Sequence, residues 1–98
     1  MSVLFIANIR MRDEAAYARY LAACDEVFTR FSGRYLAVAE PLRVLEGSYP
    51  YSKTVVIEFP DQAALEAWYF SPAYQEILAH RLAGADCDTI ELQVRDRA

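Results

Sequence analysis

The stretch Thr54-Val-Val-Ile-Glu-Phe-Pro-Asp61, followed closely by Trp68-Tyr-Phe-Ser-Pro-Ala-Tyr-Gln75, decides the fold. Branched and aromatic side chains such as Val55, Val56, Ile57 and Phe59 pack well on a pleated surface, so residues 54–59 read as a strand. Pro60 ends it. Asp61 then offers a carboxylate to the open amides of a helix start, giving a helix to about Phe70. Ser71 repeats the device, with Pro72 at the first helical position, where a missing N–H costs nothing. This second helix runs to about Gly84.

Working outward, residues 3–9 are apolar except for Asn8 and form a first strand. Asp13 caps a helix that carries Tyr17, Tyr20, Leu21, Cys24, Val27, Phe28 and Phe31 at helical spacing, with Gly33 as its stop. Residues 34–39 and 42–45 read as two further strands, 89–94 as the last, and 95–98 as a frayed tail. The loop 46–50 follows from its Gly and Pro content. The order is β-α-β-(β)-β-α-β over residues 1–98, one domain with no repeat. Two β-α-β halves make an α+β, ferredoxin-like sandwich with helices on one face of an antiparallel sheet.

Helices cover only one face of such a sheet, yet the first and central strands are apolar at almost every position. The other face therefore calls for cover, and a second copy is the simplest source because closed dimers are the commonest oligomers. An apolar fraction of 55% with seven Tyr, five Phe and one Trp points the same way.

The net charge is −4, and the ten basic residues, of which only Lys53 is a lysine, form no run. Phosphate backbones and anionic lipid surfaces both select basic patches, so neither nucleic acid nor a membrane is an expected partner. No apolar run approaches the roughly 20 residues of a spanning helix. The N-terminus lacks a basic leader, and Cys24 and Cys87 have no CxxC spacing, which suits a cytoplasmic chain with reduced thiols.

The chain also resembles a known family. Tyr17…Tyr20, Gly33-Arg34-Tyr35-Leu36, Val44-Leu45-Glu46-Gly47, Val55-Val56-Ile57-Glu58-Phe59-Pro60 and Trp68-Tyr69…Ser71-Pro72…Tyr74-Gln75 are collinear with the family known as domain of unknown function 1330. The resemblance implies a dimeric α+β barrel, in which two ferredoxin-like subunits pack sheet to sheet, and no known activity. One departure is Ala39-Glu40-Pro41, where the family usually has a glycine pair.

Polar residues that interrupt apolar faces are the candidates for chemistry, because a buried group left unpaired costs about 1–3 kcal/mol. Arg81 falls on the same face of its helix as Tyr74, Ile77, Leu78 and Leu82. A buried guanidinium wants a carboxylate, either from Glu58 as a structural pair or from an acidic ligand. Glu58, between Ile57 and Phe59, is the other catalytic candidate, since desolvation would raise its pKa toward that of a general base. Asn8 either holds a ligand or satisfies a strand end. Tyr69 and Tyr74 are the aromatic ligand candidates, while Trp68, Tyr17 and Cys24 read as core. His80, the single histidine, lies away from the apolar face and has no companion ligands, so no metal site is expected.

Haem-degrading enzymes of the same barrel superfamily place an Asn and a Trp much as Asn8 and Trp68 stand here. Their ligating histidine, however, falls at Leu78, two residues from His80, which argues against haem. The resulting expectation is a homodimer that binds or transforms a small acidic or phenolic molecule without metal or cofactor. Its alternative is a non-catalytic dimeric accessory protein whose polar residues satisfy one another. Cofactor-free oxygenases, isomerases and dehalogenating or lactone-forming enzymes share that superfamily, which is analogy at the level of fold.

Overall fold

A computed structural model describes residues 2–95. Its elements are β1 (Val3–Met11), α1 (Glu14–Thr29), β2 (Arg34–Ala39), β3 (Lys53–Phe59), α2 (Gln62–Tyr69), α3 (Pro72–Gly84) and β4 (Ala85–Gln93). The four strands form one antiparallel sheet in the order β2-β3-β1-β4. This is the ferredoxin-like α+β fold, with β1 and β3 at its centre. The tail expected beyond Arg95 lies outside the described residues.

The caps act as their side-chain chemistry requires. Asp13 accepts from the amides of Ala15 and Ala16, Asp61 from Ala64, and Ser71 from Tyr74, each filling an amide that the first helical turn leaves open. Burial alternates along β3 and along β1 from Val3 to Arg10. Val3, Phe5, Ala7 and Ile9 of β1, with Val55, Ile57 and Phe59 of β3, pack under the helices. Register puts Leu4, Ile6, Asn8 and Arg10 with Glu58, Val56 and Thr54 on the outer face, which no helix covers. Ile90 and Leu92 of β4 extend that face and are 49% and 43% exposed.

Two local expectations are corrected. Residues 42–45 form no strand; 40–52 is an irregular segment instead. β2 already pairs with β3 along one side and stands at the sheet edge, so a following strand has no ladder to join. Gly33 is not the left-handed stop of α1, because Ser32 takes the positive φ of 67°. Gly33 is small for packing: a Cβ there would meet Phe59 and Phe28 side-chain atoms at 2.8 and 2.9 Å.

Gly84 has the larger consequence, because it lets two helices approach closely. A Cβ on it would meet the backbone nitrogen of Tyr17 at 2.6 Å and the Asp13 carbonyl at 2.8 Å. Its carbonyl accepts from the Arg12 and Asp13 amides, both at 2.8 Å. The end of α3 is thus fastened against the start of α1, which brings Arg81 of α3 beside Tyr17 and Tyr20 of α1. No helix among the described residues is long and apolar enough to cross a membrane.

Candidate functional site

Arg81 reaches the inner layer. On α3 the buried positions are Tyr74, Leu78, Arg81 and Gly84, at the i, i+4, i+7 spacing of one helical face, while Leu82 turns outward at 57% exposure. Arg81 is 3% exposed, and neither its Nε nor its Nη1 has a hydrogen-bond partner. Its guanidinium carbon stands 5.8 Å from the centre of the Tyr20 ring. A cation over an aromatic face gains modest stabilisation, but it satisfies no N–H direction. Burial opposes the charge, yet the phenols of Tyr74 and Tyr20 and the Cys87 thiol offset it and leave the group above its ordinary value. Arg81 is therefore a buried cation, two of whose nitrogens lack a protein acceptor among the described residues.

The guanidinium lines a cavity of about 20 Å³ between the helices and the inner sheet face. Phe5, Ala7, Ile9, Val55 and Ile57 supply its apolar floor, and Tyr17, Tyr20 and Cys24 of α1 its roof. The Tyr20 and Tyr74 hydroxyls are 2.8 Å apart and hydrogen-bond each other. Burial raises the Tyr20 and Tyr17 phenols far above the ordinary value and puts Tyr74 at about 12. Burial likewise pushes the Cys24 thiol up. Lys53 is also buried, with its ammonium 5.2 Å from the Tyr17 ring centre, and does not line the cavity.

The other expected site residues stand elsewhere. Glu58 cannot pair with Arg81, because alternation along β3 turns it to the outer face, where Arg34 of β2 grips it at 2.6 and 2.7 Å. That hydrogen bond lowers its pKa, so the raised carboxyl expected of a general base is overturned. Asn8 shares the outer face. Its Oδ1 accepts from the Tyr49 hydroxyl and from Thr54 Oγ1, the latter at 3.2 Å, which satisfies the strand end without a ligand. Tyr74 is fully buried and reaches the cavity only through Tyr20. Tyr69 lines a separate hollow beside Phe5, Leu65 and Phe70, against β4.

Trp68 and Cys24 are core, at 0% and 2% exposure. Trp68 Nε1 is a second buried donor without a partner, enclosed by Phe5, Phe59 and Tyr74 rings 4.2 to 5.1 Å away. His80 is half-buried and belongs to neither hollow. Tyr17 and Tyr20, aromatics at helical spacing that the sequence allows as pocket lining but that read more readily as core, do line the cavity; short-range pattern does not separate the two roles. A larger hollow of about 500 Å³ lies under residues 42–46 and against Tyr49 and Thr54, open to solvent and lined by no buried charge.

A ferredoxin-like subunit with an enclosed, arginine-bearing cavity between sheet and helices is the class that this geometry defines. Residues 2–94 match the model of the family described as a domain of unknown function (DUF1330), and the chain belongs to that family. No curated protein matches it in sequence. Among solved structures it is similar to a protein of unknown function from Rhodopseudomonas palustris, with 23% identity, a TM-score of 0.84, and coverage of 98% of this chain and 84% of that one. It is similar too to a dimeric ferredoxin-like protein of unknown function from Jannaschia sp. CCS1 (18% identity, TM-score 0.76, coverage 96% and 100%). A third likeness is to SnoaB, a cofactor-independent oxygenase from Streptomyces nogalater (15% identity, TM-score 0.71, coverage 98% and 95%). At these identities the likenesses speak to the fold.

Proposed function

We propose that this protein is a homodimer, joined through its outer sheet faces into an α+β barrel, and that each subunit binds a small acidic molecule on Arg81. The single observation that carries the binding reading is the guanidinium itself: 3% exposed, facing a cavity, with two nitrogens lacking acceptors. Burying a charge without a partner costs several kcal/mol, which a bound anion would offset. The reading favours binding over acid–base turnover by groups of the cavity itself. Efficient proton transfer needs a pKa near the working pH, whereas burial moves Tyr17, Tyr20, Tyr74 and Cys24 upward, away from neutrality.

The dimer reading is supported by the apolar centre of the outer face, Leu4, Ile6, Val56, Ile90 and Leu92, which no helix covers. It gains further support from Leu45, 78% exposed in the segment beside that face, and from the dimeric description of fold neighbours.

The test is a thermal-shift screen of carboxylates and phenols on the native protein and on Arg81→Met, which keeps length and removes charge. Without ligand, R81M should melt higher than the native protein, because an apolar side chain replaces an unpartnered buried cation. Every stabilising hit should disappear in it. Hits that persist in R81M would sink the role given to Arg81.

A further inference from the structure

The chemistry of the same cavity narrows what it accepts, an inference that rests on acid binding at Arg81. Three features bear on the occupant. The first is charge. Arg81 is the sole ionic side chain among the lining residues, and no carboxylate faces it. One negative charge is therefore matched, whereas a second would be desolvated without a partner, at several kcal/mol. An α-ammonium, held beside the carboxylate at Arg81, would meet no carboxylate among the lining residues, since Asp25 stands only at the mouth. The second is acceptor count. Nε and Nη1 both lack a protein acceptor, and a carboxylate offers the guanidinium two charged oxygens where a phenolate offers one. The third is the body of the cavity. Phe5, Ala7, Ile9, Val55 and Ile57 present only apolar atoms, which penalise a ligand rich in hydroxyls.

Size decides how such a molecule enters. A cavity of about 20 Å³ holds about one water, too little for any organic acid. Of its lining residues, Leu21 and Tyr35 alone are substantially exposed, at 42% and 37%, so they mark the mouth between α1 and β2. Tyr35 is held shut there. Its hydroxyl donates to Asp25 Oδ1 at 2.7 Å, and its ring meets Phe28 edge-on at 4.6 Å. When the hydrogen bond to the exposed Asp25 carboxylate releases, the tyrosine can swing outward and vacate a space of its own dimensions, that of one aromatic ring.

We infer that the occupant is a compact aromatic or branched apolar monocarboxylate, its carboxylate on Arg81 and its apolar body in the space that Tyr35 vacates at the mouth. Amino acids, dicarboxylates and inorganic phosphate are excluded by the same charge count.

Calorimetric titration of the native protein with benzoate, phenylacetate, phthalate, L-phenylalanine and inorganic phosphate tests this class. Benzoate or phenylacetate should bind at least tenfold more tightly than the other three probes, and Arg81→Met should abolish that binding. Tyr35→Ala should admit 2-naphthoate at least tenfold more tightly than the native protein does. Tyr35→Phe, which keeps the ring and loses the Asp25 bond, should speed benzoate association several-fold in stopped-flow fluorescence even if the alanine variant fails to fold. If phthalate or phosphate binds best, and does so through Arg81, the monocarboxylate class falls while the acid-binding reading stands. If benzoate binds R81M as well as the native chain, or if none of the probes binds, both fall. Unchanged naphthoate affinity in Y35A together with unchanged association in Y35F would overturn the mouth.

Discussion

On the outer face of the sheet, Asn8 and Glu58 each meet partners within hydrogen-bond reach, Tyr49 and Thr54 for one and Arg34 for the other. On the inner face, Arg81 meets no acceptor at two of its nitrogens despite being far more deeply buried. The two faces thus treat polar groups in opposite ways. In the single chain, solvent is near the outer face, and polar side chains such as Arg34 and Glu58 are paired there at little energetic stake. Where solvent is excluded, the energetic stake is high and the pairing is incomplete. Function is better sought at the costly, unfinished site than at the satisfied ones, because an unpartnered buried cation is the group with most to gain from an anionic ligand.

The contrast can be broken most severely from the inner side. Trp68→Ala removes the fully buried centre of the aromatic cluster and should cost about 3–5 kcal/mol. In a domain of this size each kcal/mol lowers the melting temperature by roughly 4–8 °C, so the variant should be largely unfolded near 37 °C. A melting temperature within a few degrees of the native one would show that the inner face is less tightly packed than it looks.

Alkaline pH probes the same layer without mutation. In the fold Tyr17, Tyr20 and Tyr74 are raised above the ordinary phenol value by burial, Tyr74 to about 12. Unfolded phenols ionise near pH 10, so their contribution to stability is complete below pH 10 and lost as the pH rises through about 12. Urea midpoints measured at pH 8 and pH 11 should fall steeply between the two, with the share of phenolate absorbance due to these three residues appearing only as the chain unfolds. Equal midpoints would contradict the burial of these hydroxyls.

Gly84→Ala drives a Cβ into the backbone of α1 at Tyr17 and Asp13, and overpacking of that kind costs about 1–3 kcal/mol. Because the same contact sets Arg81 beside Tyr20, ligand shifts in the thermal screen should shrink along with stability. Stability lost with binding untouched would separate the crossing of the helices from the site.

The outer face should respond differently. Ile6→Asp or Ile90→Asp should halve the mass measured by light scattering at micromolar concentration while leaving the circular dichroism spectrum intact. A native protein already of single-chain mass would remove the dimer. The smallest effect belongs to Glu58→Gln. Arg34 lowers the Glu58 pKa, so the stability it lends is present at neutral pH and lost as the pH falls through that depressed value. The variant should flatten the acid limb of the stability profile only slightly, and less again in high salt.

Much of the architecture was legible because local chemistry enforces it. Asp13, Asp61 and Ser71 marked helix starts through their side-chain acceptors, and β-favouring runs marked β1 and β3. The segment 42–45 misled because its apolar residues mimic a strand, whereas strand formation needs a partner edge that sequence does not display. Glu58 misled for a related reason. In strands that are apolar on both faces, the period of two no longer says which face a residue takes, and a carboxylate between Ile57 and Phe59 looks desolvated. Asn8 gave no hint that Tyr49, far along the chain, would satisfy it.

By itself, then, the sequence determined the order of elements, the ferredoxin-like class, the helical face that buries Arg81, and the membership of Trp68 and Cys24 in the core. These depend on periodicity and capping, which involve neighbours a few residues apart. Only the tertiary structure decided that Arg81 and Glu58 lie on opposite sides of the sheet, that Gly84 brings Tyr17 and Tyr20 around the guanidinium, and that Tyr35 lines the exposed side of the cavity. Those outcomes depend on strand register and on the close approach of helices distant in sequence. Neither leaves a signature in the short-range pattern of residue types.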